Sequence, residues 1–150
     1  MVDSTYLLPS LGISVKGLEV DDIQLISKFR EGVEYCYPAP LLVELVAKAA
    51  REASKKKLKS LPREAVEGLK ALLASLGVAV ELPEPNGLVL AAELWIKGHR
   101  DIMDNMAYAH AVKTQAYFMT LDEAFRRFLS EKGYALDVVI THKNLKNVTR

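Results

Sequence analysis

Apolar residues in this chain come in short compact blocks and in longer stretches that repeat every three or four positions, the two periods that separate strands from helices. The short blocks run from Val2 to Leu8, Val33 to Tyr37, Val78 to Leu82, Ala116 to Thr120 and Leu136 to Thr141. They are rich in β-branched and aromatic residues, and Pro9, Ser10 and Gly12 close the first, so each is expected to be a strand, except that Val78 to Leu82 reads as a short strand or a turn of extended chain. Between them lie helical patterns. Asp21 and Asp22 can cap a helix with Ile23, Ile26 and Phe29 on its apolar face and Gly32 at its end. Pro38 and Pro40 stop the second strand and lead into a helix through Leu41, Leu42, Leu45, Val46 and Ala49. Pro62 begins another, with Val66, Leu69, Leu72, Leu73 and Leu76 along one face and Gly77 at its end. Leu88 to Lys97 reads as a further apolar helix, its Trp95, Leu88, Val89, Leu90 and Leu94 expected in the core. A helix after Asp101 places Asp104, Ala107 and Ala111 on one face, and the last helix runs from Asp122 to Lys132.

Strands alternating with helices predict an α/β fold, with a central, mainly parallel sheet of four or five strands between two helical layers. The Pro/Gly stretches are only loop-length, so residues 1–150 are expected to form a single domain.

Composition narrows the function classes. Lys plus Arg is 20 and Asp plus Glu 19, so no global field argues for nucleic acid or a membrane, and only local clusters can carry such a case. A single cysteine, Cys36, excludes an internal disulfide and a Cys-based zinc site. No apolar run approaches the roughly 18 residues of a membrane span, and the first residues carry no basic leader, so a cytoplasmic protein is expected. No Gly-rich phosphate loop, nucleophile elbow or HExxH pattern occurs.

Four acids stand at strand ends or in first helical turns: Asp3, Glu44, Asp104 and Asp122. Each has a purely structural reading. Asp3 with Ser4 can form a turn, and Glu44 can pair with Lys48 at i+4. Asp104 can be the third residue of a helix capped by Asp101, while Thr120 with Glu123 can form a capping box beside Asp122. A parallel sheet would nevertheless bring all four to one edge, where ligand sites of open α/β sheets lie. At about 4 Å and an effective dielectric near 20, each carboxylate pair repels by roughly 4 kcal/mol, so such a cluster stays ionised only beside a cation. Oxygen-only ligands favour Mg2+ or Mn2+, ions that activate water and clamp a phosphodiester.

In these motifs the chain resembles the PIN-domain family, and within it the VapC-like toxin ribonucleases. The likeness rests on Val2-Asp3-Ser4-Thr5, Pro40-Leu41-Leu42-Val43-Glu44, Asp104-Asn105-Met106-Ala107-Tyr108-Ala109 and Thr120-Leu121-Asp122-Glu123-Ala124-Phe125, in that order. It implies a PIN-like three-layer α/β/α fold and a Mg2+- or Mn2+-dependent endoribonuclease. Asp3, Glu44, Asp104 and Asp122 would be its metal-binding and catalytic acids, with Ser4, Thr120 and Asp101 in support. A homodimer and an antitoxin protein are the partners it suggests. A second reading is a catalytically silent PIN-like module that binds RNA or protein.

The basic run Lys55, Lys56, Lys57 and Lys59, with Arg51, can contact RNA phosphates or simply be a solvated helix end. The segment from His142 to Arg150 reads as a basic tail. His99, Arg100 and His110 lack metal-ligand spacing and are expected at the surface.

Overall fold

The chain opens on a turn where a strand is expected. In the computed structural model, which describes residues 1–29, 32–74 and 78–148, only Met1 to Asp3 run extended. The Asp3 carboxylate accepts a hydrogen bond from the Thr5 backbone N–H at 3.1 Å and caps a 3-10 turn over Ser4–Tyr6. A second 3-10 turn follows at Leu8–Leu11, with Pro9 in its first turn and Gly12 closing it at φ 71°. The Val2–Leu8 strand is therefore absent: an Asx turn offers the backbone a local partner and outcompetes the ladder.

The regular elements then alternate. Helix α1 is Val20–Lys28, β1 Cys36–Pro38, α2 Leu41–Lys55, α3 Arg63–Leu73 and β2 Ala79–Glu81. Next come α4 Pro85–Ile96, α5 Ile102–Thr114, β3 Phe118–Met119, α6 Glu123–Glu131, β4 Val139–Ile140 and α7 Leu145–Val148. Leu76, Gly77 and Arg150, assigned roles above, lie outside the described residues.

The fold is α/β, but the sheet is smaller than expected. Strands β1 and β2 form one parallel pair, with Cys36 opposite Ala79, and β3 and β4 another, with Phe118 opposite Val139. Met1–Asp3 hydrogen-bond to both pairs: Val2 N–H to the Cys36 carbonyl at 2.9 Å, and Asp3 N–H to the Met119 carbonyl at 3.0 Å. Among the described residues the N-terminal segment joins the two pairs only through the Val2–Met119 bridge and these hydrogen bonds, and a regular sheet of four or five strands is not shown. Pro38 lacks a donor, and the turn that Asp3 caps removes the rest of the N-terminal segment from pairing.

The core gathers Tyr37, Leu41, Leu45, Leu94, Tyr108, Phe118, Phe125 and Leu129, all essentially inaccessible. Helix α2 contributes Leu41, Leu45, Ala49 and Ala53, one stripe at i, i+4. Helix α3 lies close against the second 3-10 turn because of Gly68: a Cβ there would stand 2.1 Å from the Ser10 carbonyl oxygen.

Three further expectations need correction. Helix α4 packs on α5 through Gly87, Ala91 and Leu94, so of the residues assigned to the core only Leu94 is fully buried there. Trp95 is 36% exposed and Val89 59%, and Leu88 also faces out. His110 is buried at 3% exposure, its Nδ1 accepting from the Glu84 N–H and its Nε2 lying 3.0 Å from Glu81. His142 is no part of a free tail either. It is 1% exposed, with Nδ1 at 3.2 Å from the Tyr6 hydroxyl and Nε2 at 3.0 Å from Asp22, and it anchors the segment leading into α7. These partners lie on distant elements, which local patterning does not register. Among the described residues, no helix is long and apolar enough to cross a membrane.

Candidate active site

Asp104 sits in the first turn of α5, half-buried, with no hydrogen bond or ion pair to its carboxylate among the described residues. Asp101, the N-cap, presents one carboxylate oxygen to the Met103 and Asp104 N–H groups at 3.0 and 3.3 Å and so fixes the start of the helix. Burial, and after it the negative charges of Asp3, Asp101, Asp122 and Glu44, together raise the Asp104 carboxyl to about 8. All four acids are thus close enough to Asp104 to resist its ionisation.

Asp3 is buried, and desolvation raises its carboxyl above the ordinary range. Hydrogen bonds oppose that rise: the Thr5 N–H reaches one oxygen, and the Thr120 hydroxyl donates to the other at 2.8 Å. The Lys48 charge also favours the ionised form. Thr120, immediately after β3, accepts at the same hydroxyl from the Asp122 N–H at 3.1 Å. Asp122 is itself the N-cap of α6, accepting from the Phe125 N–H at 2.8 Å. The cap is thus Asp122, and Thr120 is turned toward Asp3.

Glu44 stands in the first turn of α2, which begins at Leu41 because Pro40 precedes it. Both its oxygens are engaged: one by Lys48 at 2.6 Å, the other by the Ser4 hydroxyl at 2.5 Å. Ser4 also lies 2.8 Å from the Tyr37 hydroxyl, which donates to the Leu41 carbonyl at the helix start. Sequence reasoning missed Tyr37, whose phenol ties β1, the first 3-10 turn and α2 together beneath Glu44.

The arrangement links Asp3 to Asp122 through Thr120, and Glu44 to the residue after Asp3 through Ser4. All the donors are oxygens, which fits a hard divalent cation, and the unpartnered Asp104 carboxylate is the group such an ion would satisfy. Among the described residues, no three His, Cys, Asp or Glu side chains stand close enough together to hold a metal ion as they are. With Lys48 and Ser4 on Glu44, one prospective ligand is already occupied. Lys55, Lys56, Lys57 and Lys59 are all exposed and lie at the far end of α2.

The family model for the PIN domain matches residues 20–129. This chain belongs to the PIN-domain family. PIN domains are generally nucleases and typically use divalent metal ions, which supports a nuclease role for this chain in general. The matched span includes Glu44, Asp101, Asp104 and Asp122 and begins after Asp3 and Ser4. No curated protein and no solved structure matches the chain.

Two more residues of this PIN domain hold the helices of the acids together: Asn105, which was not singled out, and His99, which was expected at the surface. Asn105 is fully buried; its side chain lies 2.7 Å from the His99 Nδ1 and donates to the His99 carbonyl at 3.0 Å. The His99 ring in turn rests 4.4 Å, centroid to centroid, from Phe125 on α6. The helices that carry Asp104 and Asp122 are therefore joined through one clasp. The available signal was an amide beside Asp104 in an otherwise apolar helix.

Proposed function

We propose that this PIN domain is a metal-dependent endoribonuclease of the VapC-like kind. Asp3, Glu44, Asp104 and Asp122 would hold Mg2+ or Mn2+, and Asp101, Ser4 and Thr120 would support them. The observation that carries the reading is Asp104: a carboxylate with no partner among the described residues, its proton held up to about 8 by burial and four neighbouring acids. A fold that needed only a helix-terminal acid would leave it solvated.

A bound divalent ion would supply Lewis-acid polarisation of the phosphodiester and lower the pKa of a water. The chain's own residues do the rest. Thr120 orients Asp3 toward Asp122, and Ser4 with Tyr37 fixes the rotamer of Glu44. In the metal-free protein Asp104 holds its proton up to about pH 8, and a bound cation would displace that proton and keep the carboxylate ionised. A toxin role, with an antitoxin partner and a homodimer, follows the same resemblance.

Cleavage of end-labelled RNA separates this reading from a silent binding module. Cuts are expected with Mn2+, absent with EDTA, and absent for Asp104→Asn. Cutting that persists in EDTA, or is undiminished in Asp104→Asn, would count against it.

A further inference from the structure

Residues 48–59 carry six of the chain's 20 basic residues and one acid, Glu52, a formal charge of +5, whereas the whole chain totals +1. The rest of the chain is therefore net negative, at −4. Helix α2 is polarised accordingly, with Glu44 in its first turn beside the acid cluster and its last turn opening into Lys56, Lys57 and Lys59.

On α2, Glu44, Lys48, Arg51 and Lys55 recur at i, i+4, i+7 and i+11, which places them along one line of the helix. The line spans roughly 17 Å at 1.5 Å per residue. Both ends of the line carry an ion pair, Lys48 with Glu44 and Lys55 with Glu52, each at 2.6 Å, and Arg51 between them carries none among the described residues. Arg51, Lys56, Lys57 and Lys59 are exposed and have no ion-pair partner among the described residues. Charge at a helix C-terminus explains part of this, because cations there interact favourably with the dipole. That effect fades within the last turn, and Lys57 and Lys59 stand beyond it.

Lys57 adds an independent sign. Its φ is 55°, the left-handed region in which a side chain costs roughly 1 kcal/mol and glycine is the ordinary choice. The turn is held by hydrogen bonds from Lys57 N–H to Ser54 O and Leu58 N–H to Ala53 O, both 2.9 Å. Lys57 therefore stands in a backbone conformation that glycine adopts more readily, on a turn fixed by these two hydrogen bonds.

We propose that Arg51, Lys55, Lys56, Lys57 and Lys59 form a phosphate-binding track that seats an RNA strand where it leaves the acid site. This rests on the nuclease reading and extends it: the substrate is a strand several nucleotides long, held on one side of the scissile bond by its backbone. Contacts of this kind position the strand and read no sequence. Their strength falls with salt as counterions return to the strand.

The test combines Arg51→Ala, Lys56→Ala, Lys57→Gly and Lys59→Ala in the full chain. All four positions are exposed, and glycine suits the backbone at 57, so the variant should keep the wild-type thermal midpoint. Binding of a single-stranded RNA about a dozen nucleotides long is measured in EDTA at several KCl concentrations. A loss of affinity of tenfold or more is expected, with the slope of log K against log salt shallower by about 0.7 per lost phosphate contact, up to about 2.8. Unchanged affinity and slope would overturn the track. So would an acidic peptide of equal charge that binds wild type more tightly than the RNA and loses that binding in the variant, since the surface would then be a protein dock. Loss of RNA binding in the variant, with no cleavage by wild type in Mn2+, would sustain the track and sink the nuclease reading. Cleavage by wild type with RNA binding unchanged in the variant would sink the track alone.

Discussion

The Thr120 hydroxyl donates to the Asp3 carboxylate at 2.8 Å across a sequence separation of 117 residues, and accepts from the Asp122 N–H. One fully buried side chain thus holds two acids from opposite ends of the chain in fixed relation.

Removing that hydroxyl should loosen both. Thr120→Val keeps the shape but leaves an Asp3 oxygen without its donor in a buried setting, at a cost of about 1–3 kcal/mol. Thr120→Ser should stay within about 1 kcal/mol of wild type. Urea unfolding of the three proteins checks the order, and cleavage should fall in the valine variant and survive in the serine one.

Asp104 gives the metal-free protein a pH dependence of definite sign. Its carboxyl is raised from 3.8 to about 8, so between those values the folded protein holds a proton that the unfolded chain has released. The unfolded state binds fewer protons, and stability therefore falls as pH rises. Asp3 is shifted in the same direction. In EDTA, a loss of roughly 1–4 kcal/mol is expected between about pH 5 and about pH 8. Asp104→Asn should remove most of that slope and be as stable as wild type, or more so, at pH 8. A large loss of metal-free stability would instead mark Asp104 as a structural helix residue.

Lys48 competes for Glu44 with any cation, because its ammonium lies 2.6 Å from a carboxylate oxygen that a metal would need. Lys48→Met should therefore lower the Mn2+ concentration that gives half the full rise in thermal midpoint. A higher concentration requirement would mean that Lys48 helps to organise the site.

The Asn105 clasp is open to a similar check. Asn105→Ala deletes two buried hydrogen bonds to His99 and should cost about 2–4 kcal/mol. Because His99 rests on Phe125, the variant should also weaken cleavage although Asn105 is not itself one of the acids.

Local chemistry made much of this legible in the sequence. Pro40 and the spacing of Leu41, Leu45 and Ala49 located the helix that carries Glu44, and Asp101 marked the cap that precedes Asp104. What failed depended on distant partners. Asp3 in an apolar run read as a strand until its carboxylate was seen to close a turn through Thr5. Thr120 read as a local cap because its true acceptor lies near the other end of the chain. His110 and His142 were expected outside because Glu81, Tyr6 and Asp22, which make their burial tolerable, reach them only in the fold.

The proposal that Asp3, Glu44, Asp104 and Asp122 together bind a divalent ion is tested most directly by titrating Mn2+ into the chelator-treated protein and following its thermal midpoint. A ligand that binds only the folded state must raise the midpoint with concentration, so a progressive rise is expected for wild type and a much smaller one for Asp104→Asn. A wild-type midpoint that stays flat to millimolar Mn2+ would contradict the account.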